Sequence, residues 1–328
     1  SSRMTRLLLA LILLSAACES SPKPKDVPQT NEAPRVEPKF DTDALIQQAE
    51  LLRDREFPKP VTVERDDAFE DQTGCEQQCA ADKALLTKIL FAGKPPVEPA
   101  RLARFVPAEN KVLWDGRATD FVGVEIAIVA ELASALDGQV AAPTTEPQSW
   151  DAYLAQSAVQ RGAGVFVASL YTARKQSRRV DAGRLAMRPE GIFELQLGHA
   201  RFVDGFATRE GFAFAAALFR GGGWSGVELA LNEPPTTTHE IVRPDRYLAG
   251  DRPGSWNWPA EVVASRKAGG YTVEQSGIVG PAVFVEWLGQ HVPNHVARSA
   301  YVAFESDIYR SLEHPDGHWV FEWVSLWK

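Results

Sequence analysis

Apolar positions recur at helical spacing through most of this chain. Over residues 43–53, Leu45, Ala49 and Leu52 share one face, and Asp41 or Thr42 stands where a cap would satisfy the first free N–H groups. Pro58 is expected to stop this helix, and residues 60–63 read as a short extended segment. A second amphipathic helix is predicted over 80–91, ended by Gly93 and Pro95-Pro96. Residues 104–106 and 111–114, separated by Pro107-Ala108-Glu109-Asn110, predict a small hairpin.

The next two segments should form the core. Residues 122–136 are apolar on nearly all faces, as expected of a helix buried inside a sizeable domain. Residues 150–172 are equally rich in alanine and aliphatic side chains but carry Gly162 and Gly164 mid-helix. Glycine there costs about 1 kcal/mol against alanine, so the pair predicts close approach of another backbone. A further helix over 205–219 is expected to end at Gly221-Gly222-Gly223, before Trp224. Thr237 and Glu240 fit a capping box, which opens a short helix that stops before Pro244.

Residues 191–198 read as strand or irregular, 250–259 as a loop, 277–288 as helix and 297–310 as mixed helix and strand. Residues 319–327 alternate like a strand, which puts Trp319, Trp323 and Trp327 on one buried sheet face. Neither an internal repeat nor a coiled-coil heptad is present. The fold class is α+β, predominantly helical, with buried helices and a small sheet.

The amino-terminal end reads differently. Arg3 and Arg6 flank Met4, an apolar run extends from Leu7 to Leu14, and Ser15-Ala16-Ala17 precede Cys18. That run is too short for a spanning helix, which needs about 20 residues. Small residues before a cysteine resemble the lipobox of bacterial lipoproteins, although leucine would be commoner than Ser15 three places before the cysteine. The resemblance implies a lipidated Cys18 as the first mature residue, with Ser1 to Arg3 as upstream translation. An ordinary cleaved secretory signal is the alternative. From Glu19 to Lys39 the chain is proline-rich, mixed in charge and nearly free of apolar residues, so it should behave as an extended tether. The organisation expected is a lipoprotein signal peptide over 1–17, a flexible tether over 18–40 and a folded domain over 41–328. Acyl chains on Cys18 would hold that domain to a membrane without a spanning helix, in the cell envelope, with the outer membrane or cell surface favoured.

Removing residues 1–17 takes away two arginines and moves the net charge from −8 to −10. An acidic chain argues against nucleic acid as a partner. The basic cluster Arg174, Lys175, Arg178 and Arg179 reads as a solvated face. After Cys18, Cys75 and Cys79 remain, and their spacing permits a local disulfide in an oxidising compartment, with free thiols as the alternative. They lack the further ligands a metal site needs.

The segment Ala130-Glu131-Leu132-Ala133-Ser134-Ala135-Leu136-Asp137-Gly138-Gln139 resembles, without a gap, a pattern like HELTHALQDQ in a family of bacterial zincin-like proteins, many of them lipoproteins or secreted. Glu131, Leu132, Ala135, Leu136 and Gln139 match; the two histidine positions are Ala130 and Ser134. The family is similar to gluzincins, whose third ligand comes from a downstream pattern like A-L-x-E-G-E/D-A. Residues 158–164 fit that frame with Gly162 kept and Arg161 at the ligand carboxylate. Gly211-Phe212-Ala213-Phe214, Gly222-Gly223-Trp224 and the segment from Pro234 to Tyr247 are later points of resemblance, which spans about Leu51 to Trp327. It implies a zincin-like core.

Two histidines at i and i+4 direct both imidazoles to one ion, a carboxylate completes the ligand set, and the intervening Glu is general base toward the bound water. Alanine has no lone pair, serine is a poor zinc ligand and arginine repels a cation. The remnant site Ala130, Glu131, Ser134 and Arg161 is therefore expected to hold no metal or other cofactor and to have no catalytic residue. Glu131 is then either a leftover helix residue beside plain core packing or the partner of Arg161 in an ion pair that replaces the metal, with charged groups within about 6 Å.

His291 with His295 and His314 with His318 repeat the i, i+4 spacing, but Pro293, and Pro315 with Gly317, interrupt the helices that a metal pair would need. His239 falls in the first turn of a helix, and His199 is isolated. No nucleotide loop or G-x-S-x-G elbow is present. The expectation is a lipid-anchored envelope protein with a catalytically dead zincin-like domain that binds a ligand or an envelope protein. The alternatives are an active metallopeptidase with a rearranged site and an unrelated structural lipoprotein.

Overall fold

The computed structural model describes residues 39–70, 77–94, 101–141, 146–187, 205–252 and 257–327. The expected signal peptide, nearly all of the tether, Cys18, Cys75, residues 191–198 and His199 lie outside the described residues.

Helix α1 (Thr42–Arg53) is capped by Asp41, whose carboxylate accepts from the Ala44 N–H at 3.1 Å, which decides between the two candidate caps. Leu45, Ala49 and Leu52 are buried, as their spacing predicts. The helix ends at Asp54, in left-handed conformation with φ 57°, and not at Pro58. Strands β1 (Thr62–Asp66), β2 (Ala103–Val106) and β3 (Lys111–Asp115) form a sheet in the order β1-β3-β2, with β1 parallel and β2 antiparallel to β3. The predicted hairpin is β2–β3; its turn passes through Asn110 at φ 55°, a conformation asparagine tolerates.

Helix α2 (Gln77–Leu90) precedes this hairpin. Helices α3 (Phe121–Gly138) and α4 (Trp150–Lys175) are capped by Asp120 and Ser149, which accept from the N–H groups of Gly123 and Ala152. After α5 (Ala182–Met187), the long α6 (Phe206–Asn232) packs along α4, and α4 in turn packs on α3. Both mid-helix glycines of α4 serve these crossings. A Cβ on Gly162 would collide with the backbone of Gly211 in α6, and one on Gly164 would lie 2.6 Å from the Ala130 carbonyl oxygen and 2.9 Å from Ser134 Oγ in α3. The close approach expected of one neighbour is thus made to two, on opposite sides of α4.

The triple glycine bends α6 without ending it. Gly222 and Gly223 leave helical geometry, but the helix resumes through Asn232, because Trp224 turns in against Phe166 and Phe219 and Val227, Ala230 and Leu231 return to the core. Helices α7 (Thr238–Val242), α8 (Pro244–Leu248) and α9 (Ala260–Ala268) follow, and the capping box of Thr237 and Glu240 is formed as predicted. Strand β4 (Thr272–Gly277), α10 (Gly280–Leu288), α11 (Asn294–Ala303), β5 (Phe304–Glu313) and β6 (Trp319–Trp327) complete the described chain, with an antiparallel sheet in the order β4-β5-β6.

Gly277, expected to open a helix, ends β4 instead. Helix α9 and strand β4 were not anticipated: α9 buries no residue and β4 is largely exposed, so neither carries a periodic apolar signal. The tryptophan face of β6 is graded. Trp323 and Trp327 pack on Phe284, whereas Trp319 is 43% exposed. The fold is α+β and predominantly helical, and among the described residues no helix is long and apolar enough to cross a membrane.

Candidate functional site

Helices α3 and α4, the segment entering β2 and the first turn of α6 line a partly open cavity of about 40 Å³. Ala130, Glu131 and Ser134 line it from α3 and Arg161 from α4, so all four residues of the remnant site face one space. Arg101, Leu102, Ala103, Ala127, Val165 and Thr208 complete the wall. The helical spacing of residues 127, 130, 131 and 134 puts them along one side of α3, and the glycine crossing at Gly164 draws α4 against that side.

Local bonds show what these side chains do now. Glu131 Oε2 accepts the Phe105 backbone N–H at 2.9 Å, which ties the carboxylate to β2, an edge strand. Ser134 Oγ donates to the Ala130 carbonyl at 3.1 Å, the back-bonding that helical serines make, and it sits against Gly164. Ala130 is buried, and its carbonyl is the nearest neighbour of Gly164 across the crossing. The two positions that resemble metal-ligand sites are therefore small residues at a tight helix contact.

Other metal candidates do not assemble. Among the described residues no three His, Cys, Asp or Glu side chains group as an ion site. His291 and His295 are exposed near the start of α11, and His314 and His318 flank the β5–β6 turn, where the His314 N–H donates to the His318 carbonyl. His239 lies in the first turn of α7 as expected, buried, with Nε2 3.2 Å from the Phe304 carbonyl oxygen; burial pushes its pKa down. Cys79 is buried and disulfide-bonded, which excludes the free-thiol alternative for it. Its expected partner Cys75 is outside the described residues. Arg174, Lys175, Arg178 and Arg179 are exposed, as a solvated face requires.

Two buried polar constellations had no counterpart in the sequence reading. Arg53, only 1% exposed, pairs with Asp137 at 2.7 Å, stacks over Trp224 at 4.4 Å and lies 3.3 Å from Glu228, which joins α1, α3 and the second half of α6. The other is a set of three carboxylates where α2, α4, α7, α10 and the second sheet meet. Asp82 accepts from the Trp150 N–H at 2.8 Å, from Gln275 and from the Tyr309 hydroxyl. Asp151 accepts from the N–H and hydroxyl of Thr238 and abuts Gly280. Asp307 accepts from the N–H groups of Val279 and Gly280 and from Trp323 Nε1 at 2.8 Å.

All these donors are neutral. Burial, the largest cause, pushes all three carboxyls up, Asp307 to about 7, and the acids reinforce one another. Each acid stands beside ordinary helical or strand sequence, so no local motif could have announced them.

No known protein family, curated protein or solved structure matches this chain.

Proposed function

We propose that this chain is a lipid-anchored cell-envelope protein whose zincin-like domain has lost its metal and its catalysis and now acts by binding. The observation that carries this reading is the convergence of Ala130, Glu131, Ser134 and Arg161 on one cavity, from the sides of two helices distant in sequence. A chance resemblance in two alanine-rich helices has no reason to place all four side chains around the same space. The chemistry there suits neither zinc nor a metal-activated water. Ala130 offers no ligand atom, the Ser134 hydroxyl is bonded to its own helix, and Arg161 brings positive charge to the position of the ligand carboxylate. Glu131, the residue in the place of the general base, holds a strand N–H. An ion pair between Glu131 and Arg161 in place of the metal is part of the proposal, since both face the cavity from adjoining helices.

Metal analysis of protein purified without chelator tests the central statement. Less than about 0.1 zinc per chain is expected, given that a site needs three protein ligands; stoichiometric zinc would overturn it. The anchoring is tested separately in cells by Cys18→Ala, which should release the chain from the membrane fraction. Retention of that variant on membranes would sink the lipoprotein assignment.

A further inference from the structure

We propose that one end of the helix bundle, the end carrying Arg174, Arg178, Arg179 and Arg184, docks on the anionic phospholipid surface to which the chain is anchored. This rests on the lipid-anchor reading above and adds which way the domain faces.

Charge is the first argument. The chain is acidic overall, with net charge −8, yet residues 174–184 hold five cations, Arg174, Lys175, Arg178, Arg179 and Arg184, against one acid, Asp181. All five are exposed. Lys175 pairs with Glu125 at 2.7 Å, and Arg174 reaches the neutral Gln48 at 3.4 Å. Among the described residues no acid pairs with Arg178 or Arg179. Their planar forks are left to solvent in the isolated domain, and phosphate oxygens are what such forks fit.

The local backbone holds the patch in place. Helix α4 ends in a turn with Ser177 at φ 55°, closed by the N–H groups of Ser177 and Arg178 on the carbonyls of Arg174 and Ala173, both at 2.9 Å. Cations in a last turn suit the negative end of the helix dipole, which accounts for Arg174 and Lys175. It does not account for Arg178, Arg179 and Arg184, which stand beyond the helix. Asp181 accepts the Arg184 N–H at 2.8 Å, Arg184 donates to the Arg179 carbonyl at 3.1 Å, and Arg220 of α6 donates to the Ala186 carbonyl at 2.7 Å, so this stretch is fastened to the bundle.

Position in the fold names the occupant. Helices α3 and α4 are antiparallel, since Ala130 lies against Gly164 while Glu125 bonds Tyr171 and Lys175. Helix α1 runs in the direction of α3, since Arg53 meets Asp137 near the end of both and Gln48, earlier in α1, lies beside Arg174. The start of α1, where the chain from Cys18 enters the fold, is therefore at the same end of the bundle as the arginines. Asp41, Asp43 and Asp120 belong to the starts of α1 and α3, where the helix dipoles offset their charge. The 22 residues from Glu19 to Phe40 span at most about 75 Å. An attraction too weak to recruit a free protein suffices to orient one held that close. Two apolar side chains also stand out here: Val122, one turn before Glu125, is 66% exposed, and Met187, one turn after Arg184, is 70% exposed. Both suit the boundary just below the phosphates.

The mature chain from Cys18 onward, coupled through the Cys18 thiol to a maleimide phospholipid, tests the proposal; Cys79 is disulfide-bonded and does not compete. It is compared on vesicles of phosphatidylcholine alone and of phosphatidylcholine with about 30% phosphatidylglycerol. Hydrogen exchange over residues 174–187 should slow about fivefold or more on the anionic vesicles. In about 0.5 M salt it should return to the neutral-vesicle rate, and so should the triple variant Arg178→Gln, Arg179→Gln, Arg184→Gln, which alters exposed side chains alone and should keep the parent's melting temperature. Helix α9, which carries Arg266 and Lys267 elsewhere on the surface, should exchange alike on both vesicles. Equal exchange over 174–187 on the two lipids, slowing that survives salt or the triple variant, or equal slowing of α9 would overturn the proposal. The chemical tether stands in for the acyl chains, so these outcomes bear on docking alone, whereas retention of Cys18→Ala on cell membranes bears on the anchor.

Discussion

The cavity lined by Glu131 and Arg161 and the junction built on Asp82, Asp151 and Asp307 handle charge in opposite ways. At the cavity, cations outnumber the single carboxylate, space is left over, and the flanking helix crossing is made of small residues. At the junction three carboxylates sit within a closed core and meet only neutral donors from the backbone, Thr238, Gln275, Tyr309 and Trp323. Burial raises the carboxyls of the junction, and it also raises Asp137, which lies inside the segment that resembles a catalytic motif, so a perturbed acid does not tell the two regions apart. Perturbed acids mark functional sites in many proteins, but an interlock between packed elements perturbs them equally. Here Asp151 and Asp307 are buried and bonded to groups from the elements packed around them, as an interlock requires, whereas Glu131 and Arg161 line a pocket.

The largest effect that can break this contrast is a pH dependence. Asp307 is raised to about 7 in the folded chain, and Asp82 and Asp151 are raised as well. The folded protein thus keeps protons that the unfolded chain has lost between about pH 4 and 7. For Asp307 this stabilisation is fully present below about pH 4 and is lost as pH rises through about 7, about 4 kcal/mol in all, and Asp82 and Asp151 act in the same direction. Guanidinium unfolding at pH 5 and pH 8 should show the higher stability at pH 5, and Asp307→Asn should flatten the slope. A chain more stable at pH 8 would mean that the junction is charged and hydrated.

Next in size are two glycine substitutions, one in each region. At Gly280, φ is 77° and a Cβ would collide with the Asp151 carboxylate, so Gly280→Ala should cost about 3 kcal/mol or more through strain and overpacking together. At Gly164 the obstacles are the Ala130 carbonyl and the Ser134 hydroxyl, and the expected cost of Gly164→Ala is about 1–3 kcal/mol. Adding Ser134→Ala should recover only part of that loss, because the Ala130 carbonyl remains. Equal costs measured by urea unfolding would remove the distinction between a closed junction and a looser cavity wall.

The smallest effect concerns Glu131. Glu131→Gln keeps an oxygen for the Phe105 N–H but takes the proposed charge partner from Arg161 and should cost about 1 kcal/mol, whereas Glu131→Ala also leaves that N–H without its acceptor and should cost about 2 kcal/mol. If both variants were equally destabilised, the carboxylate's charge rather than its bond to β2 would be what the fold requires.

Much of this architecture was legible in advance for a definite reason. Residues that bury one face at a regular period announce themselves, as in α1 with Leu45, Ala49 and Leu52, and so do caps such as Thr237 with Glu240. Gly162 and Gly164 were legible as a close approach because glycine mid-helix has a cost that something must offset. Helix α9 and strand β4, which bury little, left no such trace. The tryptophans of β6 share a face by alternation, but the fading burial from Trp327 to Trp319 depends on where Phe284 and Phe304 stand.

Local order, then, was determined by the chain itself: which segments are helical, where several of them begin, and which four residues around Glu131 and Arg161 belong to one question. Tertiary structure alone decided that those four share a cavity, that Arg53 reaches Asp137, and that Asp82, Asp151 and Asp307 meet in one core. Periodicity and capping act over a few residues and are written in sequence. The state of a charge depends on what desolvates it and what bonds it, and for these groups both come from segments tens to hundreds of residues away.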